Sequence, residues 1–83
     1  MQMLSRQAKE PALDLSFSLW LLRSSRALTQ DELARRLSTT RQTISNWETG
    51  EKIPTLDSLR KLCHGLSVPV RVCLQLAEAR ANS

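Results

Sequence analysis

Three threonines, Thr29, Thr40 and Thr55, each stand directly before a stretch whose apolar residues recur at three- and four-residue intervals. A threonine hydroxyl accepts a hydrogen bond from the backbone N–H groups left over at a helix start, so each marks a new helix. Thr29-Gln30-Asp31-Glu32 also places a glutamate at the third helical position, which is the form of a capping box. Two acids in that first turn suit the helix dipole. The starts at Thr29 and Thr40 lie so close together that the helix between them, residues 30 to 37, has room for about two turns. A chain punctuated in this way folds as several short, packed helices.

The apolar spacing supplies the inner faces. Leu15, Leu19 and Leu22 form one stripe, on a first helix expected to end near Ala27-Leu28. The second helix buries Leu33, Ala34 and Leu37. The third, residues 41 to 48, turns Ile44 and Trp47 inward and stops at Thr49-Gly50, where glycine is free to take a positive φ. A loop through Ile53-Pro54 leads to a fourth helix with Leu56, Leu59, Leu62 and Leu66 on its inner face. Beyond it, Val68, Val70, Val72, Leu74 and Leu76 alternate with Pro69, Arg71, Cys73 and Gln75. That period of two, rich in β-branched residues, reads as a half-buried strand. A helix through Val70, Cys73, Leu74 and Ala77 stays open as the alternative. Residues 1–12 lack periodicity and read as a mobile arm, which divides the chain into arm (1–12), helical domain (13–66) and strand with tail (67–83).

Composition narrows the chemistry. With 83 residues there is material for one small domain, of the kind that often leans on a partner subunit. Twelve Lys and Arg against eight Asp and Glu give a net charge of +4, which favours a polyanionic partner. Cys63 and Cys73 form no CxxC pair and His64 stands alone, so no metal is expected. Cys63 and His64 are neighbours on a helix and point apart, which suits neither nucleophile nor base. No enzyme, cofactor or small-molecule substrate is expected. The apolar run Leu19-Trp20-Leu21-Leu22 is closed by Arg23, far short of a membrane span, and no signal peptide is evident, so a cytoplasmic protein is expected.

Two short helices joined by a tight turn can place the second in a DNA major groove. With Ile44 and Trp47 facing inward, Arg41, Gln42, Ser45 and Asn46 point outward together. Arginine can bond guanine O6 and N7 as a pair, and Gln or Asn can do the same at adenine N6 and N7. Gln30, at the start of the second helix, is placed where a side-chain amide and helix N-terminal amides can hold a phosphate.

The run Leu28-Thr29-Gln30-Asp31-Glu32-Leu33-Ala34, then Arg41 through Gly50 with Thr43-Ile44-Ser45-Asn46-Trp47-Glu48-Thr49-Gly50, then Ile53-Pro54 and Leu56, resembles the Cro/cI-type (XRE-like) helix-turn-helix family. The resemblance spans roughly Leu15 to Leu66. It implies a mainly α fold: a four-helix lambda-repressor-like domain, followed here by the short C-terminal β-strand or a fifth helix. The resemblance puts base contacts at Arg41, Gln42, Ser45 and Asn46, and adds Thr40, Thr43 and Lys52 to Gln30 as phosphate contacts. It implies a structural ion pair between Arg23 and Glu48, whose loss would cost about 3–5 kcal/mol. Ser38 holds a turn position that is usually glycine in the family, and is strained if its φ is positive.

Members of such families bind palindromic operators as two-fold dimers, with half-sites about 34 Å apart. The expected homodimer surface is the strand edge, Val68, Val70, Val72, Leu74 and Leu76, with Phe17, Trp20 and Leu21 as a second candidate. A helix-turn-helix followed by a strand also resembles HipB-like antitoxins, which implies a co-encoded toxin protein as partner. The function expected is sequence-specific binding of double-stranded DNA by a prokaryotic or phage transcriptional autorepressor. The alternative is a protein-interaction adaptor that keeps the fold without specific DNA binding.

Overall fold

In the computed structural model, which describes residues 14–81, the chain forms five helices: α1 (Leu15–Ser25), α2 (Gln30–Arg36), α3 (Arg41–Thr49), α4 (Leu56–Gly65) and α5 (Val70–Ala81). The reading of residues 1–12 as an arm lies outside the described residues.

Side-chain caps set the starts of the first four helices. Thr29 Oγ1 accepts from the Glu32 backbone N–H at 3.0 Å, and Glu32 Oε1 accepts from the Thr29 backbone N–H at 2.7 Å, a complete capping box. The bond from the Thr29 backbone N–H, with a further one from the Thr29 side chain, stabilises the Glu32 carboxylate and holds that carboxyl below its ordinary pKa. Thr40 and Thr55 cap α3 and α4 through the backbone N–H groups of Thr43 and Ser58. Asp14, which the sequence reading passes over, caps α1 by accepting from Phe17 N–H at 3.2 Å.

The ends follow a different rule. Ala27, Ser38 and Ser67 follow α1, α2 and α4 in the left-handed region, with φ of 55°, 55° and 60°. A side chain there costs about 1–2 kcal/mol that glycine would not. Gly50 supplies that conformation without penalty after α3, at φ 81°.

The core lies between the helices, and Leu19, Leu33, Ile44, Leu62 and Leu66 are all but inaccessible. Burial of each such side chain contributes about 1.5–3 kcal/mol. Leu56 departs from the expectation: it lies at the first position of α4 and is 61% exposed, so that inner face begins at Leu59.

Residues 67–76 are the larger correction. They contain no strand; from Val70 they form α5, and the strand edge expected from Val68, Val70, Val72, Leu74 and Leu76 does not exist. Cys73 and Ala77 are fully buried, with Val68, Val70, Leu74 and Leu76 packed partly against the same core. The physical reason is backbone accounting. An isolated strand leaves its N–H and C=O groups without a ladder, and no second strand exists among the described residues to supply one. A helix satisfies its own backbone. Pro69 fits just before it, where a missing N–H costs nothing. α5 is then tied to the start of α1: Asp14 N–H donates to Ala77 O at 3.2 Å, Arg80 Nε lies 3.5 Å from Asp14 Oδ2, and the Arg80 guanidinium sits 4.7 Å from the Phe17 ring centre.

Candidate nucleic-acid interface

Helix α3 is fixed along its inner side and presents polar groups on the other. Ile44 is buried, and Trp47 packs partly against the core. Arg41 and Gln42 are exposed, and Ser45 and Asn46 are half-buried at the same surface. The four side chains expected to meet bases therefore share one side of one helix. Gln42 Nε2 donates to Asn46 Oδ1 at 2.9 Å, a bond between residues one turn apart that the spacing of four makes available.

The expected phosphate contacts divide. Thr40 and Thr43 bond to each other, Oγ1 to Oγ1 at 2.9 Å, at the N-terminus of α3. Thr43 also borders a cleft of about 230 Å³ shared with Ser58 and Lys61. Lys52 is exposed in the loop after α3, its backbone N–H donating to Asn46 O at 3.1 Å. Gln30 is half-buried, and its Nε2 donates to Glu48 Oε1 at 3.0 Å. An amide nitrogen has two N–H groups, so this bond leaves one for an outside acceptor while fixing where it points. Sequence reasoning missed that link, because nothing in the spacing of residues 30 and 48 announces it.

Arg23 and Glu48 hold the frame. Arg23 Nε lies 2.6 Å from Glu48 Oε2, and Nη2 lies 2.9 Å from Oε1, a two-point pairing. Arg23 Nη1 also donates to Leu28 O at 2.6 Å, which ties the end of α1 to the approach to α2. The side chains are only 14% and 6% exposed, so each charge depends on the other. The carboxylate raises the Arg23 pKa above its ordinary value, against the opposing effect of burial. Of the other cations near α2, Arg36 turns away and donates to Gly65 O at 2.9 Å.

Among the described residues no group of three or more His, Cys, Asp and Glu is arranged to hold a metal, and no helix is long and apolar enough to cross a membrane. Cys63 and Cys73 are free thiols buried at the α4–α5 contact. Burial, with the Cys73 thiol alongside, pushes the Cys63 pKa up to about 12.

A capped two-turn helix, a tight turn and a second helix with a locked inner face define a helix-turn-helix protein. The helix-turn-helix family HTH_3 matches residues 21–73, well over half of the chain, and the chain belongs to that XRE-type family. It is 34% identical over 58 residues to the HTH-type transcriptional activator BcrR of Enterococcus faecalis; the match takes in 70% of this chain but only 28% of that protein's length. The clp gene regulator ClgR of C. glutamicum superimposes with a TM-score of 0.80 at 27% identity, covering 86% of this chain and 95% of its own. The restriction-modification controller protein C.Esp1396I, solved as a tetramer with its natural 35 base-pair operator, matches with a TM-score of 0.77 at 26% identity, covering 84% and 92%.

Proposed function

We propose that this protein binds double-stranded DNA sequence-specifically as a two-fold dimer and regulates transcription by occupying an operator. The observation that carries the proposal is the outward cluster Arg41, Gln42, Ser45 and Asn46, on a helix whose other side is clamped by Ile44, Trp47 and Glu48. Rigid presentation matters because base recognition is lost when donors wander by an ångström. Gln30, Thr40, Thr43 and Lys52 act at the rim, as phosphate contacts that set register without reading sequence. Repression follows where the operator overlaps a promoter. The likeness to the operator-bound controller protein supports the DNA reading.

A dimer doubles the few base pairs one helix can read. With the strand edge gone, the large apolar side chains left exposed among the described residues are Trp20, Ile53 and Leu56. Trp20 stands beside Phe17, ring centres 6.1 Å apart, on α1; Ile53 and Leu56 flank Pro54 beyond the end of α3. Sedimentation of Trp20→Ser and Leu56→Ser variants assigns the contact, since the variant at the dimer surface becomes monomeric. The antitoxin reading, with a toxin protein as partner, leaned on a C-terminal strand that α5 replaces, and it goes no further.

The test is selection of bound duplexes from a random pool at physiological salt, with wild type beside an Arg41→Ala, Asn46→Ala double variant. Wild type should enrich a two-fold symmetric site with half-sites about 34 Å apart, and the variant should not. Failure of the wild type to enrich any site, combined with tight salt-insensitive binding to another protein, would favour an adaptor on the same fold.

A further inference from the structure

One oxygen of Glu48 serves two partners. Its Oε1 accepts from Arg23 Nη2 at 2.9 Å and from Gln30 Nε2 at 3.0 Å, while Arg23 Nε holds Oε2 at 2.6 Å. Arg23 thus grips both oxygens of a nearly buried carboxylate, which cannot turn away. Gln30 is half-buried, so its amide is anchored to a fixed point at the edge of the surface. A free glutamine side chain gives up rotational freedom when a ligand fixes it. Here that freedom is restricted in the folded protein, before any ligand arrives.

Place and charge both suit an anion. Glu48 lies three residues beyond Ser45 and seven beyond Arg41, so the amide it holds stands along the flank of the side of α3 that carries them. The sugar-phosphate backbone of a duplex seated on that side runs along such a flank. Gln30 Nε2 has a second hydrogen to give. An unpaired carboxylate one hydrogen bond away would repel a phosphate approaching that hydrogen, and the two-point pairing with Arg23 offsets its charge. We infer that Glu48 is a positioning residue for DNA binding: it aims the Gln30 amide at a backbone phosphate, and Arg23 offsets the charge it would otherwise set against that phosphate. The inference rests on the proposed reading of α3 as a DNA-reading helix with Gln30 at its rim. It goes further by making affinity depend on an ion pair set behind the contact surface.

The test is a cycle of variants of the full chain, measured against the duplex that wild type selects from a random pool. Gln30→Ala should weaken wild-type binding by up to about ten-fold, the scale of fixing one flexible side chain. The loss should be the same for every duplex, with the selected bases unchanged, as befits a phosphate contact. Arg23→Met with Glu48→Leu leaves no buried charge unpaired and gives Gln30 nothing to bond. In that background Gln30→Ala should cost about two-fold or less. Arg23→Met with Glu48→Gln returns a neutral acceptor and should recover much of the Gln30 effect, which a purely structural role of Glu48 would not. Melting curves show that each variant is folded at the assay temperature. An amide NMR spectrum needs neither double variant: the Gln30 side-chain N–H pair, assigned by its loss in Gln30→Ala, should shift when the duplex is added. Equal costs of Gln30→Ala in wild type and in the apolar background, or an unmoved Gln30 pair, would overturn the inference while DNA reading by α3 stands. If wild type selects no sequence at all, the reading of α3 falls and the inference falls with it.

Discussion

Helices α3 and α5 are held in place by opposite means. Beyond the inward Ile44 and Trp47, α3 is fixed by polar devices: the Thr40 cap at its start, Gly50 at its end, and the Arg23–Glu48–Gln30 bonds along its flank. α5 is fixed mainly by what it buries, Cys73 and Ala77 at its centre with Val70 and Leu74 beside them. Polar fixing leaves one whole side of α3 available for another molecule. Apolar fixing commits α5 to its own core. The same contrast explains why one helix is plain in the sequence and the other is not.

The largest effect should come from breaking the polar clamp. Arg23→Ala or Glu48→Ala leaves a nearly buried charge unpaired, and chemical denaturation should report a loss of about 3–5 kcal/mol. Replacing both at once, Arg23→Met with Glu48→Leu, should cost less than either single change; an additive loss would mean that the pair does not act as a unit. In α5 the matching test is Ala77→Leu, which forces a larger group into a fully buried site and should cost about 1–3 kcal/mol. Gln75→Leu, on the exposed side of the same helix, should be close to neutral. Were the alternating segment a strand running on through residue 77, Gln75 and Ala77 would share a face and respond alike.

A smaller effect belongs to the helix ends. Ser38→Gly and Ser67→Gly each remove the left-handed strain of a side chain at positive φ, partly offset by the extra freedom of glycine in the unfolded chain. Each should stabilise by about 0.5 kcal/mol in thermal melts. The smallest effect is at the capping box. Because the folded state lowers the Glu32 pKa, its contribution is fully present above the ordinary value of 4.5 and is lost as pH falls through the folded value. Wild type should thus be more stable than Glu32→Gln at pH 7, and the melting curves of the two should converge in acid.

What the sequence shows and what it hides follow the same division. The helix starts at Thr29, Thr40 and Thr55 are legible because a cap uses residue types that advertise themselves. Leu33, Ala34 and Ile44 are legible as core because their spacing matches a helical face. In α5 the buried positions fall to Cys73 and Ala77, which look like interruptions in an alternating apolar row. Only the lack of a partner strand decides the matter, and a single segment read alone does not contain that fact. In the candidate site, the side of α3 that holds Arg41, Gln42, Ser45 and Asn46 follows from the inward pair Ile44 and Trp47. The Gln30–Glu48 bond, the turning away of Arg36 to Gly65 and the tie of Asp14 to α5 join residues distant in sequence, and no local spacing encodes them.

The two sulfurs at the α4–α5 contact give the molecule an internal recorder. Alkylating reagents attack thiolate, and a thiol held near 12 is almost wholly protonated at neutral pH, as well as shielded by Leu66 and its neighbours. Labelling at Cys63 should therefore be slow in the folded protein and report the openings that uncover the α4–α5 contact. Its rate, divided by that of an open thiol, would measure the free energy of that opening. Adding operator DNA during such an experiment would reveal whether occupation of the outer surface is felt on the far side of the core.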